Sequence, residues 1–259
     1  MDSPVAIIEQ NNSFAIIRLN RPEKFNALSR EMIVTLQGIF TNLESQAELR
    51  AIVLTGAGDQ AFCAGADLGE QAGLDKDQAR ELSERGQALF DQIEDSRVPV
   101  IAAINGVAAG AGCELALACH IRMASPNASF SLPETKLGIV PGDGGTQRLA
   151  REIGHRRAVE IVLTGRTLDA EEALRMGLIN RLAVDSVLTE AESLAQEISI
   201  LAPLAIRACI EAVARGIELP LAEGLTVEAQ LFSSLFATND MREGTRAFLE
   251  KRQPVFKGS

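Results

Sequence analysis

Val98–Ile104, VPVIAAI, runs directly into Asn105–Leu117, NGVAAGAGCELAL, and this passage decides the fold. Its first half is short and apolar, the pattern of a strand buried on both faces, as in parallel sheets. A turn of small residues follows, and Glu114 opens a helix. From Val98 to Cys113 no residue is charged, but Pro99, Asn105, Gly106, Gly110 and Gly112 break the run. It is too short and too interrupted to cross a bilayer.

The same alternation extends in both directions. Ala15–Leu19, Ala51–Leu54 and Ile121–Ala124 are further apolar strand candidates. Met32, Leu36, Ile39, Phe40 and Leu43 form one helical stripe, and a second helix is predicted from Asp77 to Glu94. Strands alternating with amphipathic helices predict an α/β fold with at least part of the sheet parallel. From Gly154 onward the pattern is helical, with one strand-like piece near Leu178–Leu182. Asp169 with Glu172, and Asp240 with Glu243, read as capping pairs at helix starts. The reading divides the chain into an α/β body, 1–195, and a helical C-terminal region, 196–259. No Ser/Gly/Pro linker separates them, so the two are expected to pack together.

Composition narrows the function. The 259 residues carry a formal charge of −10, with 4% aromatics and neither Trp nor Tyr. An acidic chain without a basic block or stacking platform is a poor nucleic-acid or anionic-membrane binder. Cys63, Cys113, Cys119 and Cys209 form no metal-ligand spacing and read as buried, reduced thiols. No basic, then apolar, leader opens the sequence, so a cytoplasmic protein is expected.

Three segments depart from core composition. Thr55–Leu68, TGAGDQAFCAGADL, is a Gly/Ala loop whose small residues would let a ligand approach the backbone, or an ordinary strand-to-helix connection. Asn105–Leu117 presents unpaired N–H groups at a helix start, able to hold an oxyanion; Glu114 there is also simply a good first-turn residue. Ser129–Leu149, SFSLPETKLGIVPGDGGTQRL, carries Glu134 after Pro133 and a second Gly-rich turn, Pro141–Gly145. Taken alone, Glu134 reads as a solvated loop carboxylate. Dinucleotide, P-loop and G-x-S-x-G patterns are all absent. The histidines, His120 and His155, read as a core-edge residue and a surface residue. Carboxylates therefore remain as the acid–base groups.

Taken together, NRPEKFNALS (20–29), AIVLTGAGDQAFCAGADL (51–68), PVIAAINGVAAGAGCELALAC (99–119), FSLPETKLGIVPGDGGTQRL (130–149), ALRMGLINRL (173–182) and FLEKRQPVFKG (248–258) resemble the crotonase, or enoyl-CoA hydratase/isomerase, family. The resemblance runs essentially the full length. It implies a crotonase-like spiral of ββα units followed by trimerisation helices, in a homotrimer or a hexamer built as a dimer of trimers. It implies an acyl-CoA thioester substrate, with no cofactor beyond the CoA moiety, in fatty-acid or related acyl-CoA degradation. By the same resemblance, the N–H groups of Ala66 and Ala111 form an oxyanion hole for the thioester carbonyl. Glu114 is the base holding water, Glu134 supplies the C2 proton, and Gly142 helps hold the water. Ala64, Gly65, Asp67 and Leu68 line the substrate. Lys24 and Lys257 are candidates for the CoA phosphates, or else exposed solubilising lysines. The segment Gln71–Leu82 is a candidate lid for the acyl pocket. The departures are Gly110–Ala111–Gly112, where many hydratases carry three glycines and where the N–H survives, His120, where the family commonly has Asp, and Asp143, where it often has a small residue. The rival readings are an enoyl-CoA delta-isomerase, which needs only the Glu134 carboxylate, and a non-catalytic acyl-CoA-binding member.

Overall fold

The computed structural model describes residues 3–11 and 13–259. In chain order its elements are β1 (Ala6–Gln10), β2 (Phe14–Leu19), α1 (Arg30–Glu44), β3 (Ala51–Gly56), β4 (Ala61–Cys63), α2 (Leu68–Gln71), α3 (Lys76–Glu94), β5 (Val100–Ile104), β6 (Val107–Ala109), α4 (Ala111–Ala118), β7 (Ile121–Ala124), β8 (Ser129–Ser131), α5 (Gly145–Ile153), α6 (His155–Thr164), β9 (Leu168–Asp169), α7 (Ala170–Met176), β10 (Arg181–Leu182), α8 (Val187–Ser199), α9 (Pro203–Gly216), α10 (Leu221–Leu235) and α11 (Asn239–Leu249).

Two sheets share the strands. The larger has the order β1-β2-β3-β5-β7-β10 and is parallel except for the β1–β2 pair. The smaller has the order β4-β6-β8-β9, with only β8–β9 antiparallel. The chain therefore repeats one unit: a strand in the large sheet, a short strand in the small sheet, then a helix. β3–β4–α3, β5–β6–α4 and β7–β8–α5 are successive turns of this spiral.

Side-chain alternation explains the apolar runs. Ala15, Ile17, Leu19, Ile52 and Leu54 face the main core with Met32, Leu36 and Phe40 of α1. Phe14, Ile16, Ala51 and Val53 face the other side, where Val187, Ala191, Leu194 and Ala195 of α8 cover them. A sheet buried on both faces needs apolar residues at most positions, and its polar exceptions, Thr55 and Arg122, are hydrogen-bonded to main-chain carbonyls. Because α8 is the cover of the large sheet and runs to Ser199, the division at 195/196 falls inside it. The separate helical region begins after that helix.

Asp169 does cap α7, accepting the Glu172 N–H at 2.7 Å. The pairing of Asp240 with Glu243 does not form. Thr238 caps α11, and the buried Asp240 instead accepts the N–H groups of Lys257 and Gly258, each at 2.8 Å. Its carboxylate ties down the tail, whose main-chain donors it satisfies. Three cysteines are buried, whereas Cys209 on α9 is exposed, because α9 buries none of its residues within one chain. Among the described residues, no helix is long and apolar enough to cross a membrane.

Candidate active site

Glu114 lies in the first turn of α4, 1% exposed. Its Oε1 accepts two main-chain N–H groups, from Asp143 at 2.9 Å and Gly145 at 2.6 Å. The Pro141–Gly145 turn thus wraps one oxygen of the carboxylate. Burial, reinforced by the negative charge of Asp143, pushes the Glu114 carboxyl up to about 8; the Gly145 N–H pulls the other way.

Glu134 opens a short 3-10 turn, Glu134–Leu137, directly after Pro133. The turn is anchored by Thr135 Oγ1 to the Val162 carbonyl and by Lys136 Nζ to the Gly165 carbonyl. Alone in sequence it reads as a solvated carboxylate; in the fold it is 8% exposed. Its Oε2 is buried without a hydrogen-bond partner among the described residues, and burial raises its pKa. A buried carboxyl oxygen without a partner is costly, so such an atom marks a place where another molecule completes the bonding.

Gly110 joins the parts. It has φ +52°, and a β-carbon there would lie 2.7 Å from Glu134 Oε1 and 3.8 Å from the Gly65 Cα. Only glycine combines that backbone with so close an approach. The turn before α4 therefore packs between the second glutamate and the 64–67 loop. A β-carbon on Gly65 would stand 3.9 Å from the Ala111 nitrogen, so the two small-residue loops touch.

The donors follow from backbone direction. Leu28 pairs with Ala66 as a parallel bridge, bonding to the Gly65 carbonyl at 2.8 Å and the Asp67 N–H at 2.9 Å. The N–H of Ala66 itself points away from that pair and, among the described residues, donates to no acceptor. Ala111 is the first residue of α4, where an N–H has no partner inside its own helix. Two free donors on touching loops, beside two buried carboxylates, suit a developing oxyanion flanked by acid–base groups.

Other sequence candidates fall differently. Asp67 is spent structurally: it caps α2 through the Gly69 N–H and pairs with Arg21 at 2.9 Å. Arg21 holds its carboxyl below the usual range. Ala64 and Leu68 are exposed beside Gly65 and Ala66. The Gly142 carbonyl is taken by Ser83 Oγ and by Gln87 Nε2 at 2.8 Å, so α3 holds that turn. Lys24 is exposed at the end of a 3-10 turn, Pro22–Lys24. Lys257 is exposed on the tail, its main chain held by Asp240 rather than by the Ala66 or Ala111 loops. His120 bridges Val100 N–H and the Glu94 carbonyl, each at 3.0 Å, as a core-edge residue. Sequence reading missed Asn26, which is buried with φ +57° and donates to the Ala57 and Ala61 carbonyls at 2.9 and 2.8 Å. It missed Ser83 and Gln87 too, although their one-turn spacing on α3 is a usable signal.

The family model described as Enoyl-CoA hydratase/isomerase matches residues 9–259. The chain is 38% identical to a short-chain-enoyl-CoA hydratase of Clostridium acetobutylicum, over 95% of each protein. It is 39% identical to a crotonyl-CoA hydratase of Syntrophomonas wolfei, over 96% of each. The crystal structure of an enoyl-CoA hydratase from Bacillus anthracis superposes with a TM-score of 0.95 at 42% identity, covering 98% of this chain and 100% of that one. With the family match spanning nearly the whole length, and the spiral and both glutamates in place, this chain belongs to the enoyl-CoA hydratase/isomerase family.

Proposed function

We propose that this protein is an enoyl-CoA hydratase, adding water reversibly across the 2,3 double bond of a 2-enoyl-CoA to give a 3-hydroxyacyl-CoA. The single observation that carries the reading is the pairing of Glu114 and Glu134. Both are buried, they come from different elements, and one oxygen of Glu134 has no partner among the described residues. An isomerase needs one such carboxylate; hydration needs two around one water.

The chemistry divides as follows. The thioester carbonyl accepts from the N–H groups of Ala66 and Ala111, which stabilise the enolate formed as C3 is attacked. Glu114 takes a proton from water while the water oxygen bonds to C3; Glu134 gives a proton to C2. The Gly142 N–H helps to hold the water. Burial and mutual repulsion leave a proton among these acidic groups near neutrality. The two N–H donors on Glu114 Oε1 favour its ionised form, and the unpartnered Oε2 of Glu134 favours a protonated one. That is the distribution that hydration requires. No cofactor beyond the CoA of the substrate enters the scheme. Lys24 and Lys257 are available for CoA phosphates, Lys257 by way of an assembled oligomer.

The assembly is a homotrimer or a dimer of trimers, with α9–α11 as its contact region. Leu225, Phe232 and Phe236 are exposed there, and the Phe232 and Phe236 rings meet at a tilt of 59° with centroids 5.0 Å apart. Soluble chains seldom leave such faces uncovered. The buried free thiols suit the reducing cytoplasm as the site of action. The deciding experiment follows the loss of enoyl-thioester absorbance for crotonyl-CoA. Glu114→Gln and Glu134→Gln should each lower kcat by orders of magnitude with the fold intact. Near-wild-type turnover in either removes its role, and double-bond migration without hydration would make the protein an isomerase.

A further inference from the structure

The turn that wraps Glu114 carries a third carboxylate, and the fold makes room for it. Gly86 is buried in the interior of the long helix α3, a position where glycine is disfavoured. A β-carbon there would come to 2.5 Å from Asp143 Cγ and 3.1 Å from its Oδ2. The missing side chain at 86 is thus the seat of the Asp143 carboxylate. That carboxylate is half-buried and, among the described residues, accepts no hydrogen bond. Its own N–H, meanwhile, donates to Glu114 Oε1. Ser83 and Gln87, flanking Gly86 on the same face, fix the adjoining Gly142 carbonyl, so the turn cannot swing the carboxylate away.

The surrounding charges leave Asp143 only partly compensated. Glu114 on α4 and Glu134 on its 3-10 turn are both acidic. Arg148 on α5 is the cation that, among the described residues, pulls Asp143 down, but its side chain is shared with Asp91 at 2.6 Å, Glu94 at 2.8 Å and the Asp143 carbonyl at 3.1 Å. The Cys63 and Cys113 thiols beside the cluster are buried, which pushes both up to about 12 and keeps them neutral.

We propose that Asp143 is a positioning residue for hydration: its carboxylate, seated against Gly86, crowds negative charge around Glu114 and Glu134 and so retains a proton in the site. The inference rests on the hydratase reading. In support, the charge of Asp143 raises Glu114, and burial pushes Asp143 itself up to about 6. The role is electrostatic, so it depends on the charge of residue 143 rather than its bulk.

The test is the pH profile of kcat/KM for crotonyl-CoA hydration in Asp143→Asn and Asp143→Ala. Removing the charge lets both glutamates ionise at lower pH. The acid and basic limbs should therefore both move down by about one unit, equally in the two variants, with KM little changed. A profile that superimposes on wild type overturns the proposal, and so does a shift seen in Ala but not in Asn, which would assign the role to packing. Gly86→Ala supplies an independent arm. Its new methyl displaces the carboxylate, so it should alter the profile in the wild-type background and leave Asp143→Ala unaffected. Equal effects in both backgrounds would refute the seat. Absence of hydration in the wild type would instead refute the hydratase reading, which keeps the two failures distinct.

Discussion

Ala111→Pro separates a backbone role from a side-chain role at the proposed oxyanion site. Ala111 is the first residue of α4, and proline is tolerated there because that N–H has no partner within the helix. The preceding Gly110, at φ 52° and ψ −128°, occupies an extended mirror-image conformation open to glycine before proline. The helix should therefore survive while one donor disappears. Losing one donor to an oxyanion costs about 3–4 kcal/mol, or a ~10²–10³-fold fall in kcat. Ala111→Gly keeps the N–H and removes one buried methyl, worth about 0.8 kcal/mol of stability, so its kcat should remain within a few-fold of wild type. Turnover is read by thioester absorbance, with no Trp or Tyr in the chain to interfere, and CoA-product binding by calorimetry. Thermal melts check the fold. If Ala111→Pro keeps turnover within ten-fold of wild type, the donor assignment fails. If proline and glycine lose activity equally with folding intact, the methyl was a packing contact and the backbone argument collapses.

Two further outcomes follow from the same geometry. Unfolded glutamates titrate near 4.5, whereas burial pushes Glu114 up to about 8 and raises Glu134 as well, so the Glu114–Glu134 pair, taken as one titrating group, holds an extra proton in the native state between those values. Stability from this group is complete below pH 4.5 and is lost as pH rises through 8; Glu114→Gln should melt with a flatter pH dependence over that window, and an unchanged slope would contradict the burial argument. For assembly, light scattering at micromolar concentration should give three or six times the chain mass, and Phe232→Asp with Phe236→Asp should lower it; a monomeric wild type refutes the trimer.

The large sheet was legible because it is buried on both faces, so Ala51–Leu54 announces itself by continuous apolarity and Ile121–Ala124 is apolar apart from the buried, hydrogen-bonded Arg122. The small sheet was not. Its strands Ala61–Cys63, Val107–Ala109 and Ser129–Ser131 are three residues each and lie inside the stretches whose small residues read as ligand loops. Both readings of those stretches hold at once, since the small sheet is the frame that brings the loops into contact. Periodicity finds a helix but not the partner of a polar side chain. Asp240 has the spacing of a cap, yet its donors come from residues 257 and 258, and nothing local could say so. The site shows the same limit. Glu114 and Glu134 stand twenty positions apart and each had a bland local reading; the family resemblance, rather than spacing, joined them. Asp143 was visible as an unusual carboxylate, but its meaning depends on Gly86, fifty-seven residues earlier on α3. A lone glycine in a strongly helical stretch is a local defect, and the fold converts it into space for a charge. Such a pair can be read from sequence only when the two departures, a glycine where a helix disfavours it and an acid where a loop does not need it, are treated as one feature.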